Sequence, residues 1–186
     1  MMTETNQQRR RWLALGGIVL GSALMPTELL AAVSTPKPRI LSFRNINNGE
    51  RLTSQLVNGK ITSAAALQQL NYFMRDRRSQ QVTRMDPNLF SKFYQIQSQL
   101  GLRNTEIQIV CGYRAPATNA AMRRRSRGVA KNSYHTRGQA IDFRIDAVSL
   151  SQVRKAAQAL NNGGVGYYPR SNFVHIDTGP VRTWRG

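Results

Sequence analysis

Ser133-Tyr-His-Thr-Arg-Gly-Gln-Ala-Ile-Asp142 sets a histidine and an aspartate seven positions apart, with Gly138 between them. From Gln139 to Ile145 the residues alternate. Ala140, Asp142 and Arg144 fall on one side of an extended chain, and Ile141, Phe143 and Ile145 on the other. Such a strand buries its apolar side and turns Asp142 toward a site. A second segment, Asn172–Thr178, has the same period and puts Phe173, His175 and Asp177 on a common face. The chain has only two histidines, His135 and His175, each a few residues from an aspartate. A lone histidine in a buried strand is most often a core residue satisfied by a backbone partner. Two of them, each with an aspartate on its face, point to a metal site. Zinc takes imidazole nitrogen and carboxylate oxygen tetrahedrally, and a catalytic zinc keeps three protein ligands beside one water. Two histidines and one aspartate meet that count.

Outward from this centre, short strands and helices mix. Ile40–Arg44 and Arg51–Val57 read as strands joined at Asn47-Asn-Gly49, with an Asn58-Gly59 turn after them. Thr62 or Ser63 caps a helix whose apolar residues Ala66, Leu67, Leu70, Phe73 and Met74 recur at helical spacing. Asp86-Pro87 opens another, which carries Leu89, Phe90, Phe93, Tyr94, Ile96 and Leu100 to a glycine stop at Gly101. This aromatic stripe belongs to the core. Glu106–Gly112 alternates as a strand and delivers Tyr113-Arg114 at its end. Pro116 and Thr118 open a helix that runs toward the basic cluster Arg123-Arg-Arg-Ser-Arg127. Asp146 through Leu160 fits a capped helix, and Val165–Tyr168 a strand. Hairpins and helices in this order predict an α+β fold, a small mixed or antiparallel sheet flanked by helices, and not a doubly wound sheet.

The N-terminus gives the charge its context. Arg9-Arg-Arg-Trp-Leu13, an apolar run to Met25 and the small-residue close Leu29-Leu-Ala-Ala32 form an export signal of the twin-arginine type. Residues 1–32 are therefore expected to be a leader that engages the twin-arginine translocase, and residues 33–186 one mature domain in the periplasm. The apolar run is shorter than the ~20 residues of a spanning helix, so an uncleaved anchor is the second choice. The formal net charge is +18, and loss of three arginines with Glu4 and Glu28 hardly changes it. A bias of that size usually signals nucleic acid. An exported protein meets the anionic cell wall instead, so no nucleic-acid partner is expected. The one cysteine, Cys111, has no partner for an internal disulfide. It reads as a buried strand residue and not as a nucleophile.

Ser133, His135, Gly138, Ala140 and Asp142, followed by His175, give the order S-x-H-x-x-G-x-A-x-D … H. It resembles the signature of zinc D-alanyl-D-alanine carboxypeptidases and their endopeptidase relatives, which share their fold with the hedgehog signalling domain. Cys111-Gly-Tyr-Arg114 is similar to the S-G-Y-R motif of that family, with cysteine in place of serine. The longer run from Pro38-Arg-Ile-Leu41 through Ser126-Arg-Gly-Val-Ala-Lys131 to Gly163-Gly-Val-Gly-Tyr-Tyr168 and Phe173-Val-His-Ile-Asp-Thr-Gly179 resembles its murein endopeptidase K branch in Gram-negative bacteria.

This resemblance implies one zinc ion per chain, held by His135, Asp142 and His175, and a zinc-bound water that attacks the peptide bond without a covalent intermediate. It implies a substrate of peptidoglycan peptide stems, cut at diaminopimelate–diaminopimelate cross-links and also at D-Ala–diaminopimelate links. Arg114 takes the place of the family arginine that holds a substrate carboxylate or the developing oxyanion. Tyr113, Tyr134, Tyr167 and Tyr168 are hydrogen-bond donors, of which Tyr113 and Tyr134 are assigned with Arg114 to substrate binding.

The general base is harder to place. Better-known members carry an acid three positions before the last ligand, where this chain has Asn172. An amide cannot accept the proton, and among the remaining acids Asp177 is favoured because it shares a face with His175. Relatives with an H-x-H motif bind metal through the second position, a register that would promote Asp177 over His175. The loss of the family acid also supports a rival reading, a non-catalytic wall-binding module that keeps zinc for structure.

Overall fold

The computed structural model describes residues 38–126 and 128–186; the leader assigned to residues 1–32 lies outside them. Its strands are β1 (Arg39–Asn45), β2 (Arg51–Leu56), β3 (Glu106–Cys111), β4 (Ala140–Arg144), β5 (Gly164–Tyr168), β6 (Phe173–Asp177) and β7 (Arg182–Arg185). Its helices are α1 (Ala64–Phe73), α2 (Asn88–Gln99), α3 (Pro116–Arg125) and α4 (Leu150–Ala159), with a 3-10 turn at Tyr134–Arg137. The fold is α+β. All strands join one seven-stranded sheet of order β2-β1-β3-β4-β6-β5-β7. It is mixed, because β1 runs parallel to β3 and β5 to β7 while the other neighbours are antiparallel.

Local chemistry sets the helix ends. Ser63 Oγ accepts the Ala66 amide at the start of α1, and Asp86 Oδ1 accepts the Asn88 amide ahead of α2 at 3.0 Å. Gly101, at φ +67°, lets the chain leave α2 in a left-handed turn. The aromatic stripe on α2 is core. Phe93 meets Phe143 of β4 edge-on at 4.8 Å and Phe43 of β1 at 5.6 Å, so the helix is anchored across the centre of the sheet.

The last helix starts later than its composition predicts. Ser149 and Gln152 form a reciprocal capping box, and α4 begins at Leu150. Asp146 stays in the preceding turn, where it accepts Gln108 Nε2 and pairs with Arg144 at 3.2 Å. Strand β7 was not foreseen. Its side chains alternate half-buried and exposed, a weak signal in a short edge strand.

Candidate metal centre

Sheet register lines up the site residues. Cys111 of β3 lies opposite Asp142 of β4, and Asp142 opposite His175 of β6; His175 then faces Gly166 of β5, and Gly166 faces Trp184 of β7. These five residues form one row across the sheet. A register shift in β3 between Ile109 and Cys111 brings the cysteine into that row, as a bulge re-aims a side chain. Cys111 is thus half-buried and faces the site, contrary to the expected buried strand position. Gly166 has a reason as well, since a Cβ there would lie 2.6 Å from the Trp184 ring. Its absence lets the indole approach His175, with ring centroids 5.1 Å apart.

His135 arrives from outside the sheet. Ser133 Oγ accepts its amide at 3.3 Å, and Gly138, at φ +68°, closes the turn. A side chain on Gly138 would strike the Arg84 carbonyl. The turn leaves His135 Nε2 at 3.2 Å from both His175 Nδ1 and Asp142 Oδ1. The third side of the triangle, His175 Nδ1 to Asp142 Oδ1, is 2.8 Å. Ligand atoms around a tetrahedral zinc stand about 3.3 Å apart at ordinary bond lengths, so the spacing fits.

The outer ring nitrogens decide the chemistry. His135 Nδ1 lies 2.7 Å from the Gly112 carbonyl oxygen, and His175 Nε2 lies 3.1 Å from Asp177 Oδ2. Each acceptor fixes a proton on the outer nitrogen and turns the inner lone pair toward the centre, the usual support for metal-binding histidines. Two imidazole lone pairs and a carboxylate oxygen then converge within 3.2 Å of one another. Three acceptors so close need a cation between them, and a proton fills that role in the metal-free chain. Burial disfavours a charged His135, but Asp142 and then Cys111 overcome it and raise its pKa to about 10. His135 and His175, in turn, hold the Asp142 carboxyl well below the usual carboxylate range against the opposing effect of burial.

Asp177 stands behind His175, fully buried. Its Oδ1 accepts the amides of Gly164 and Gly179, each at 2.9 Å, and Arg182 clamps both oxygens. Burial opposes this charge too, yet His175, Arg182 and the two amides hold the carboxyl far below its ordinary pKa. Lys92 reaches from α2 to donate to the Asp177 carbonyl at 2.6 Å. Sequence reasoning missed Lys92, Arg182 and Trp184. A cation inside the apolar stripe of α2 was the available sign for Lys92; the other two sit on the unforeseen β7.

An open cavity of about 790 Å³ exposes the triad, and Arg114, Tyr134, Tyr168, Arg182, Trp184 and Arg185 help line it. Arg114 is nearly buried. Its Nη2 is 4.0 Å from Asp142 Oδ2, its Nη1 donates to Asn119, and its Nε has no partner among the described residues. Tyr134 packs beneath Arg182, with the guanidinium 4.9 Å from the ring centroid. Tyr168 accepts the Trp184 indole N–H at 2.8 Å. Tyr113 lines an adjoining, smaller cavity, and Tyr167 packs under Arg154. The structure thus gathers His135, Asp142, His175, Arg114 and Tyr134 at one opening, with Asp177 one layer behind and Tyr113 to the side. Asn172 sits in a left-handed turn before β6, at φ +52°, a conformation asparagine tolerates.

A family model described as peptidoglycan L,D-endopeptidase MepK matches residues 33–184. The chain belongs to the MepK family of peptidases. Membership makes it a hydrolase of peptide bonds. The probable peptidoglycan L,D-endopeptidase MepK of Haemophilus influenzae is 62% identical over 185 residues, covering 100% of both chains. The Escherichia coli K12 peptidoglycan L,D-endopeptidase MepK is 50% identical over 183 residues, covering 98% of this chain and 100% of its own. The Shigella flexneri MepK is equally similar. No solved structure matches. The matched span contains every residue of the row and of the triad.

Proposed function

We propose that the chain is a zinc-dependent endopeptidase of the periplasm that cuts peptide cross-links in peptidoglycan, chiefly those between two diaminopimelate residues and also D-Ala–diaminopimelate links. The observation that carries this reading is the convergence of three acceptor atoms, each ring locked from behind, on the wall of an open and basic cavity. MepK kinship supports the peptidoglycan substrate. The arginine-lined opening suits the free carboxylates of wall peptides.

In this reading His135 Nε2, Asp142 Oδ1 and His175 Nδ1 hold one zinc. When bound, zinc polarises a carbonyl and makes water acidic enough to act as a nucleophile near neutral pH. The Gly112 carbonyl and Asp177 keep both imidazoles in the required tautomer. Arg114, with its unpaired Nε, steadies the scissile carbonyl oxygen as negative charge grows there. Asp177 orients His175 and does not touch substrate, because its oxygens are already engaged. Asp142 is the only acid among the described residues lining the open cavity. As a ligand whose carboxyl is held well below the usual carboxylate range, it is a poor proton acceptor and serves to bind, not to act as the base.

Digestion of purified wall sacculi by the zinc-loaded chain, with chromatographic separation of the products, tests the proposal. Loss of cross-linked dimers and a gain of monomers are expected. Intact dimers beside an active control would favour the rival wall-binding module, which would still retain sacculi after His135→Ala.

A further inference from the structure

The metal centre stands between two cavities. The smaller, about 260 Å³, shares Arg114, Met122, Asp142 and Phe173 with the open one, and extends toward the loop after α1 and the β1–β2 hairpin. Asn47, Arg77, Arg78, Tyr113 and Thr118 help line it.

Its charge is unbalanced. Asp76, the only acid besides Asp142 among the described lining residues, is buried and committed: Oδ1 accepts the amides of Arg78 and Ser79 at 2.7 and 3.1 Å, and Oδ2 accepts that of Ala115 at 2.6 Å. Arg75 is neutralised by Glu50 at 2.6 Å. Arg77 and Arg78 are exposed, and their guanidinium groups have no carboxylate partner among the described residues. Asp76 thus ties a loop bearing two free cations to the residue next to Arg114. The Asp76 contacts fix the backbone of this loop, so both cations are carried at a set place beside the cavity.

We propose that this smaller cavity is a carboxylate-binding subsite for the second peptide of a cross-link, with Arg77 and Arg78 as its anion-binding residues. The inference rests on the peptidase reading above and adds to it: one peptide lies in the open cavity, the scissile bond crosses beside Asp142 and Arg114, and the other peptide presents its diaminopimelate carboxylates to Arg77 and Arg78. A cleft of this small size takes one residue of the second stem, not the whole of it. Two charged ends are thereby read on opposite sides of the bond.

The test is a binding measurement that needs no turnover. A stem tripeptide ending in diaminopimelate, a product that cannot be cut further, is titrated into the mature zinc-loaded chain and followed by amide chemical shifts. Shifts at Asn47, Arg78 and Thr118 are expected. Loss of two charge-assisted hydrogen bonds in the Arg77→Ala/Arg78→Ala double variant should weaken binding about tenfold or more. Amidation of the diaminopimelate carboxyls should weaken binding to the wild type and leave the double variant little changed. Equal affinity of both proteins, no binding by either, or shifts confined to Tyr134 and Trp184 would overturn the subsite. Dimer cleavage separates the two ideas: binding at Arg78 without cleavage sinks the peptidase reading alone, and cleavage unaffected by the double variant sinks the subsite alone.

Discussion

Arg182 of β7 grips Asp177 of β6 through two contacts, Nη2 to Oδ2 at 2.6 Å and Nη1 to Oδ1 at 3.2 Å. The same Oδ2 faces His175 Nε2 at 3.1 Å, so a surface arginine fixes the orientation of an imidazole two groups away.

Asp177→Ala should therefore loosen His175 while leaving the inner triangle chemically intact. Removal of such an outer partner typically lowers metal affinity by about 10- to 100-fold. Competition against a chromophoric chelator would measure this, and an unchanged zinc affinity would show that Asp177 serves the strand and not the metal.

His135→Ala, Asp142→Ala and His175→Ala should each lose stoichiometric zinc, and Asp177→Ala should not. Elemental analysis of the purified chains checks both halves. A full complement of zinc in any of the first three would mean that the donor set is wrong.

The metal-free chain should weaken in alkali. Its His135 titrates at about 10 when folded, against about 6.5 for an unperturbed imidazole. The folded state thus keeps a proton that the unfolded chain releases. That stabilisation is complete below about 6.5 and disappears as pH rises through about 10. The melting temperature of the metal-free chain should fall across this window, while the zinc-loaded chain, whose ligand nitrogen carries no proton, holds level. Zinc uptake near neutral pH should release a proton, readable by calorimetry in buffers of different ionisation enthalpy.

Asp76→Ala strips three backbone amides of their acceptor at a buried point. The expected cost is about 3 kcal/mol, as for a buried charged acceptor with several donors, read from denaturant unfolding. Burial pushes the Asp76 carboxyl up, but the Ala115, Ser79 and Arg78 amides hold it below its ordinary value. Its contribution is present above the unfolded pKa of about 3.9 and is lost as pH falls through the lowered folded value. Asp76→Asn should lose that acid dependence.

Cys111→Ser should keep both zinc and turnover. The sulfur, His135 and Asp142 lie within 4.8 Å of one another, a grouping that a thiol peptidase also needs. His135 and Arg114 favour its thiolate against burial. A loss of activity in the serine variant, with zinc retained, would transfer the attack to sulfur.

Much of the centre was legible because strand period and register act together. Alternation in β4 and β6 put Asp142 and His175 on usable faces, and antiparallel pairing made them direct neighbours. The position of Asp177 behind His175 was half visible: sequence placed both on one face, but not the five donors that occupy its carboxylate. Cys111 misled because a bulge, which leaves no trace in an alternating pattern, moved it into the row. Strand β7 escaped because its two half-buried and two exposed residues carry no hydrophobic period, and with it went Arg182 and Trp184. The late start of α4 followed from a capping box at Ser149 that outcompeted the aspartate upstream.

The edge strand also exposes a weakness. None of its residues belongs to the apolar core, and Pro180 and Val181, just before it, are exposed. A single proteolytic cut there would leave Arg182 and Trp184 held only by the pairing of β7 with β5 and by their contacts to Asp177 and Tyr168. The outer support of His175 therefore hangs on the least buried strand of the sheet.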